Sequence, residues 1–332
     1  MRAKIAIIYN EPINDRYTQM GEAEAIAEVL DEVKAVSDSL LELGYSVTKV
    51  PLVPPLETVR QQIQSLDADI FFNLFEGFAS RPETEAMVTG MLALSGKPFT
   101  GSAPATLALA LDKIKTKELL AGVGVATPGY QVLHPETINR FNLNFPCIVK
   151  PAAEDASHGV TQDSVVNDAA ALARQVEKIC THYGGRALVE EFIDGKELSA
   201  TIMGNYDLRV LSISEIEFTL PPGLPRLVTF DAKWSSPGNI YFDHTTPVCP
   251  AQIDKELWSH VSETSLAAYR LLGCRGYARV DMRVDAMGKA YVLEVNPNPD
   301  ITPISGATRQ ARAAGMTYSQ FIDRIISLAL EG

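Results

Sequence analysis

The chain has 332 residues, more than one ordinary domain holds, and this length predicts two or three compact units. Its content of 46% hydrophobic and 21% charged residues is typical of a globular protein and excludes a disordered chain. The net charge of −12 argues against a nucleic-acid-binding scaffold, because neutralising phosphates requires clustered Lys and Arg.

The sequence indicates a cytoplasmic protein. No window approaches 18 uninterrupted apolar residues, which argues against a membrane span. The apolar run Ile5–Tyr9 has no long hydrophobic region or cleavage-like site around it, so we interpret it as a strand and not as a signal peptide. The cysteines lack CxxC spacing and are expected to be buried, reduced thiols. They are Cys147, Cys180, Cys249 and Cys274.

The first hundred residues alternate between strand and helix patterns, which predicts a small parallel sheet. No GxGxxG follows the first strand, and this argues against a dinucleotide-binding site. The predicted strands are Ala3–Tyr9, Tyr45–Val53, Asp69–Leu74 and a short one at Pro98–Thr100, with helices over Glu22–Leu43 and Glu85–Leu94.

The next residues predict a mixture of helices, strands and one long loop. Leu220–Phe242 is rich in Pro, Gly, Ser and Asp, and long loops of this kind are usually lids or binding loops. Helices are predicted over Thr106–Gly122, Asp168–Cys180, Lys255–Leu272 and Tyr318–Leu330. Strands are predicted at Phe145–Pro151, at Ala187–Phe192 and as a pair between Glu197 and Glu217, and Asp155–Gly159 is a loop of small residues.

Residues 277–296 predict a hairpin with one apolar and one polar face. Ala278, Val280, Met282 and Val284 alternate with Arg279, Asp281 and Arg283. If Ala286 pairs with Lys289 across the turn, Asp281 lies opposite Glu294 and Arg279 lies opposite Asn296. Directly opposed residues share a face, so we expect these four side chains to converge.

The converging oxygen atoms suggest a magnesium site. Two opposed carboxylates repel unless a positive charge lies between them, and carboxylate and amide oxygens are the ligands that Mg²⁺ prefers. The alternative is a set of exposed charges tied to neighbouring arginines, each pair worth less than about 1 kcal/mol.

Six segments together resemble the ATP-grasp superfamily, and within it the D-alanine–D-alanine ligase-like family. They occur in the family's order, at residues 92–113, 146–160, 188–204, 231–234, 276–299 and 311–326. The resemblance implies an α/β ATP-grasp fold. Its N-terminal parallel-sheet substrate domain would span residues 1–104. A central subdomain (105–192) and a C-terminal subdomain with the metal site and lid (193–332) would clamp ATP.

The resemblance also implies roles for individual residues. Lys113 and Lys150 would hold the ATP phosphates together with Ser157, and Asp281, Glu294 and Asn296 would hold two Mg²⁺ ions, with Mn²⁺ an alternative. Glu190 would accept from the adenine amino group, the backbone of Glu191 and Ile193 would contact the ring edge, and Glu197 would bind the ribose. Lys233 would approach the transferring phosphate, Arg279 would stabilise the oxyanion, and Ser305 with the Gly306 N–H would bind the second substrate's carboxylate.

The implied reaction is dipeptide-type amide formation through an acyl phosphate. The substrates would be ATP and small amino acids, D-alanine foremost, in peptidoglycan synthesis, and a homodimer is expected by analogy. Taken singly, Lys113, Glu190, Glu197 and Ser305 fit an ordinary helix lysine, surface glutamates and a loop serine better than they fit a site.

The sequence departs from the family in the parts that recognise the substrate. Residues 10–16 replace a glycine-rich loop, and Glu76–Phe78 with Arg81–Glu83 replace a His-Gly and Gly-Glu-Asp-Gly pattern. Ala156, Trp234 and Asp300 stand where the family has serine, tyrosine and glycine. Another amino acid or acyl substrate therefore stays open, with Glu11, Glu76 and Arg81 as candidate ligands, as does a nucleotide-binding protein without turnover.

Overall fold

The computed structural model describes residues 2–13, 23–78, 81–152, 157–183 and 185–331. Its N-terminal part is a parallel sheet in the order β2-β1-β3. Alternate residues of the first strand enter two cores, with Ile5 and Ile7 on one face and Ala6 and Ile8 on the other. The elements are β1 (Lys4–Asn10), α1 (Ala23–Glu42), β2 (Ser46–Leu52), α2 (Leu56–Ser65), β3 (Ile70–Leu74) and α3 (Thr84–Leu94).

Two predictions for this region are wrong. The strand expected at Pro98–Thr100 is reduced to a single parallel bridge between Phe71 and Phe99. The helix expected over Thr106–Gly122 is two helices, α4 (Pro104–Leu111) and α5 (Lys113–Gly122). The break is at Asp112, whose ψ of 84° is not helical and whose side chain accepts from the Lys115 backbone N–H and caps the second helix.

The central sheet is antiparallel, in the order β4-β7-β5-β6. Helix α6 packs its apolar stripe, including Leu172 and Val176, against Val149 and Val189 on one face of this sheet. Lys150 and Glu190 alternate with those valines, so their side chains leave the opposite face. The elements are β4 (Tyr130–Leu133), β5 (Cys147–Pro151), β6 (Val165–Val166), α6 (Ala169–His182) and β7 (Ala187–Glu191).

The C-terminal sheet has five antiparallel strands in the order β10-β9-β8-β11-β12. Helix α9 covers one face, where Val261 and Tyr269 share a core with Ala278, Val280 and Met282. The elements are β8 (Lys196–Met203), β9 (Arg209–Phe218), α7 (Phe230–Trp234), α8 (Ile240–Asp243), β10 (Thr245–Val248), α9 (Lys255–Leu271), β11 (Tyr277–Val284), β12 (Ala290–Asn296), α10 (Gly306–Ala313) and α11 (Tyr318–Leu330). The predicted loop Leu220–Phe242 therefore contains the short helix α7 and most of α8.

The register of the β11–β12 hairpin is correct at its polar end and wrong at its turn. Asp281 pairs with Glu294 and Arg279 with Asn296, as predicted. Nearer the turn, Val284 pairs with Ala290, whereas the predicted register would pair Val284 with Tyr291. A β-bulge between the two halves leaves Leu293 without a direct partner and absorbs the difference.

The first and last helices join the two ends of the chain. Phe321, Ile322 and Ile325 of α11 share a core with Val29 and Val33 of α1. All four cysteines are free, but only Cys147 and Cys274 are buried, so the prediction of buried thiols is wrong for the half-buried Cys180 and Cys249. No helix in the described ranges combines the length and the apolar character needed to cross a bilayer.

Candidate active site

The polar face of the β11–β12 hairpin gathers charged side chains that are distant in sequence. Arg279 donates to both oxygens of Asp281, at 2.8 and 2.9 Å. The Asn296 amide donates to Asp281 at 2.9 Å and to Glu294 at 3.4 Å. The four predicted residues therefore meet, and each carboxylate has a hydrogen-bond donor beside it.

The carboxyl group of Glu294 stays ionised because cations surround it. Burial acts to raise its pKa, but the charges of Lys113, Lys150, Lys233 and Arg279 outweigh burial and hold the pKa at about 2. Of these cations, Lys113 forms an ion pair with Glu294, with Nζ 3.6 Å from Oε2. The Glu294 carboxylate, Asp281 and the Asn296 amide oxygen form an oxygen donor set that fits Mg²⁺ shared with phosphates. Among the described residues, no group of three or more His, Cys, Asp and Glu side chains gathers as a self-sufficient metal site.

A second cluster of charges lies on the facing side of the central sheet. Glu190 is 1% exposed, and its oxygens contact Lys117 Nζ at 2.5 Å and Lys150 Nζ at 2.7 Å. Burial acts to raise the Glu190 pKa, and the two ammonium groups overcome it and lower the pKa. Burial also lowers the pKa of Lys117, which donates to Thr127 Oγ1 at 2.7 Å as well.

Lys117 is a site residue that the sequence analysis missed. It follows Lys113 by one turn of α5, and residues four apart on a helix share a face. That spacing was the available signal. Both oxygens of Glu190 are engaged by lysines here, so its predicted contact with an adenine amino group would be made beside these ion pairs.

Beyond β7, one arginine joins the residues predicted to contact adenine and ribose. Arg283 is 3% exposed and donates to the Ile193 carbonyl at 2.9 Å and to Glu197 Oε2 at 2.6 Å. The Glu191 side chain instead accepts from the Asn144 side chain at 3.0 Å, and the Glu191 N–H donates to the Gly129 carbonyl at 2.8 Å, so this N–H is already engaged at the predicted ring-edge position.

The segment predicted to act as a lid, Leu220–Phe242, carries Lys233 in α7 and contacts the loop predicted to cover the phosphates. The Phe230 N–H donates to the Val160 carbonyl at 3.0 Å, and the rings of His158 and Phe230 are 5.7 Å apart. Ser157 in this loop has a φ of 62°, in the left-handed region. The rest of the predicted Asp155–Gly159 loop before Ser157, with Ala156, lies outside the described residues.

The region predicted to bind the second substrate lies beside Arg279. Ser305 is 6% exposed and caps α10, its hydroxyl accepting from the Thr308 N–H at 3.2 Å. A Cβ placed on Gly306 would be 3.7 Å from Cδ and Nη1 of Arg279, so the arginine packs directly on the start of this helix. Ser305, Gly306 and Arg279 are therefore brought together.

Three acidic residues that the sequence analysis did not single out as a group lie near Arg279. They are Glu28, Glu32 and Asp300. Burial raises the pKa of Asp300 and raises that of Glu28 to about 8. Glu32 is 4% exposed and accepts from the Ile301 N–H at 2.9 Å, and burial raises its pKa well above the ordinary value. The signal for Glu32 was an acid on the apolar stripe of α1, between Val29 and Val36.

The three substrate ligands suggested by the sequence, Glu11, Glu76 and Arg81, lie in different parts of the structure. The charge of Glu76 acts on both Glu28 and Glu32, which places it beside the acidic group. Arg81 pairs with Glu83 at 3.0 Å on an exposed surface. The Glu11 N–H donates to the Leu52 carbonyl at 3.0 Å at the end of the first sheet, and residues 14–16 lie outside the described residues.

Comparisons with known proteins agree with this geometry. Residues 119–327 match the family model described as D-ala D-ala ligase C-terminus. The chain is 32% identical to a D-alanine–D-alanine ligase of Desulforudis audaxviator over 94% of this chain and 97% of that protein. It is 36% identical to an uncharacterized protein of Sinorhizobium fredii over 78% of this chain and 74% of that one. The fold matches the crystal structure of the VanG D-Ala:D-Ser ligase from Enterococcus faecalis with a TM-score of 0.77, 21% identity and coverage of 99% and 100%.

Proposed function

This chain belongs to the D-alanine–D-alanine ligase family of ATP-dependent ligases with the ATP-grasp fold, and from that premise we propose that it joins two amino acids through an acyl phosphate. The observation that carries the proposal is the meeting of Asp281, Glu294 and Asn296 with Arg279 and Lys113. Phosphoryl transfer requires aligned cations around the phosphates, and this arrangement supplies them.

In the first step, a carboxylate oxygen of one amino acid bonds to the γ-phosphorus of ATP and the bond to ADP breaks. Lys113 and Lys150 would neutralise phosphate oxygens, and Lys233 would reach the transferring group from the lid. Asp281, Glu294 and Asn296 would hold Mg²⁺, which when bound would supply neutralisation of the phosphate charge.

In the second step, the amine of the other amino acid attacks the acyl carbon, and phosphate leaves. Arg279 would stabilise the oxyanion that forms on this carbon, because Asp281 fixes its guanidinium with two hydrogen bonds. Ser305 and the Gly306 N–H would hold the attacking amino acid's carboxylate. The lid would exclude water, which otherwise hydrolyses the acyl phosphate.

D-Alanine is the first candidate substrate because the relatives of known function are named for it. A different amino acid is the second candidate. It is favoured by Asp300, where the family has glycine, and by Glu28 and Glu32 in the same region. Peptidoglycan synthesis and a homodimer remain predictions from the family, and a cytoplasmic location remains a prediction from the sequence.

The test is phosphate release from Mg-ATP across a panel of D- and L-amino acids, with peptide product identified by mass. Stimulation by D-alanine supports the first candidate, and stimulation by other acids only supports the second. If tight ATP binding occurs without turnover for every acid, the ligase proposal is wrong and a nucleotide-binding protein without turnover is favoured.

A further inference from the structure

We propose that Arg283 is a positioning residue that couples the predicted nucleotide contacts, Ile193 and Glu197, to the root of the lid at Arg226. The inference rests on the proposed function, since it takes Ile193 and Glu197 as nucleotide contacts and residues 220–242 as the lid. It adds a residue to which the sequence analysis gave no role.

Three separate segments meet on this one guanidinium. Its Nη1 donates to the Ile193 carbonyl at 2.9 Å, and its Nη2 donates to Glu197 Oε2 at 2.6 Å and to the Arg226 carbonyl. Ile193 follows the central sheet, Glu197 lies in β8, and Arg226 lies in the lid segment. These hydrogen bonds link three different segments of the chain and do not form part of any single helix or strand.

The contact is buried and geometrically restricted. Arg283 is 3% exposed, and its guanidinium lies 4.8 Å from the centre of the Phe192 ring and 6.0 Å from that of Phe218. A planar fork of donors stacked on aromatic rings can serve three acceptors in fixed directions. A lysine ammonium at the same position would be a point charge without that geometry.

The root of the lid is tied to the same edge a second time. The Arg226 side chain donates to Asp194 at 2.6 Å, and the neighbouring Leu227 is 3% exposed. From this anchor the chain runs to Phe230, which contacts Val160, and then to Lys233. A nucleotide that contacts Ile193 and Glu197 therefore engages the same groups that hold the root of the lid.

The coupling predicts a defect that loss of stability alone does not produce. Without Arg283, the lid root would be held less firmly, and water would reach the acyl phosphate before the amine does. ATP would then be consumed without peptide formation. The ratio of phosphate released to peptide formed reports this uncoupling directly, independently of how much enzyme is folded.

The experiment compares Arg283→Met with Arg275→Met in the full chain. Arg275 is a matched control, since its guanidinium also stacks on a phenylalanine, Phe99, at 4.3 Å and donates to a backbone carbonyl, but at the junction with the N-terminal sheet. For Arg283→Met we expect the KM for ATP to rise about tenfold or more and the ratio of phosphate to peptide to rise above that of the wild type. Arg275→Met should keep both at wild-type values, and Arg283→Lys should restore the ratio only in part.

A second readout uses lid fluorescence and does not require turnover. Trp234 lies in α7 next to Lys233, and in a Trp258→Phe background it is the remaining tryptophan of the chain. ADP with Mg²⁺ should change its emission in this background, and Arg283→Met should reduce that change while Arg275→Met preserves it. Should Arg283→Met fold poorly, Arg283→Gln, which keeps two donors, replaces it in both measurements.

The outcomes separate this inference from the proposed function. If the parent enzyme makes peptide and Arg283→Met keeps its KM, its ratio and its Trp234 response, the coupling role is wrong although the ligase proposal stands. If no amino acid supports turnover, the ligase proposal fails, and the Trp234 response to ADP alone decides whether Arg283 links nucleotide and lid.

Discussion

At the scale of single residues, the site depends on charges that are stable only together. Glu190 and Lys117 are 1% and 0% exposed, and Lys150 forms an ion pair with the second oxygen of the Glu190 carboxylate. An ionised group so far from water requires its partners, because the loss of one leaves an uncompensated buried charge. The family resemblance predicts Lys150 and Glu190 as site residues, and their roles stay predictions. Their direct contact could not be predicted, because it arises only when β5 and β7 pair.

Lys117→Met should lower the free energy of unfolding by about 3 kcal/mol or more, since it leaves Glu190 buried with one cation instead of two. Urea denaturation measures this change. Lys115→Met is the control in the same helix, because Lys115 is exposed and its pair with Asp112 is worth about 1 kcal/mol at most. Equal effects of the two substitutions would contradict the role assigned to the buried pair.

Glu294→Gln should leave a folded protein with turnover reduced about 100-fold or more, because it removes a negative charge proposed to hold Mg²⁺ beneath the phosphates. Steady-state phosphate release and circular dichroism give the two quantities. The exposed strand residue Glu217, changed to Gln, serves as the control with unchanged turnover. Wild-type turnover in Glu294→Gln would remove this carboxylate from the metal site.

At the scale of elements, the two irregularities that position the site are the ones the sequence analysis did not foresee. The break at Asp112 makes Lys113 the first residue of a new helix, and the bulge at Leu293 brings Glu294 back opposite Asp281. Apolar periodicity predicts the strands and helices themselves, and it placed most of them within a few residues. Apolar periodicity does not reveal a single inserted residue or a break between two helices, because neither changes the spacing of the apolar residues noticeably.

Asp112→Ala should cost about 1 kcal/mol of stability and also raise the KM for ATP, because the lost cap at Lys115 loosens the helix start that carries Lys113. Asp168→Ala is the matched control, as Asp168 caps α6 in the same way through the Ala171 N–H at 2.8 Å. It should cost similar stability with no change in the KM for ATP. A KM shift in both variants would mean that the cap at Asp112 has no special part in placing Lys113.

At the scale of the whole molecule, the site is assembled from parts that the chain order keeps far apart. Helix α11 returns to pack on α1, and this contact sets Glu28 and Glu32 of the first unit beside Asp300 of the last. The ATP-grasp fold could be predicted from the sequence, because six segments occur in the family's order, whereas the three-part division at residues 104 and 192 stays a prediction. The acidic group at the junction could not, because it requires the packing of helices separated by more than 250 residues.

The junction should make stability depend on pH through Glu28. The unfolded chain loses this proton near the ordinary pKa of 4.5, whereas in the folded protein the pKa of Glu28 is about 8. Burial is the largest cause of the raised pKa, the negative charges of Asp300, Glu76 and Asp31 raise it further, and the positive charge of Lys233 lowers it. Stability from this group is therefore present at low pH and is lost as the pH rises from about 4.5 through about 8.

Glu28→Gln should accordingly match the wild type in acid and become the more stable protein at alkaline pH. Thermal unfolding across this pH range measures the difference. Glu57→Gln, at an exposed position of α2, controls for the general effect of removing one negative charge. A constant difference between Glu28→Gln and the wild type at every pH would contradict the raised pKa.

The most direct test of the ligase proposal follows one oxygen atom through the reaction. The amino acid that best stimulates phosphate release is supplied with ¹⁸O in its carboxylate, and the released phosphate is analysed by mass. An acyl phosphate transfers one carboxylate oxygen to phosphorus, so with both carboxylate oxygens labelled we predict phosphate carrying a single ¹⁸O and a peptide whose new amide carbonyl keeps the other one. Phosphate free of the label, formed together with peptide, would contradict the mechanism assigned to this site.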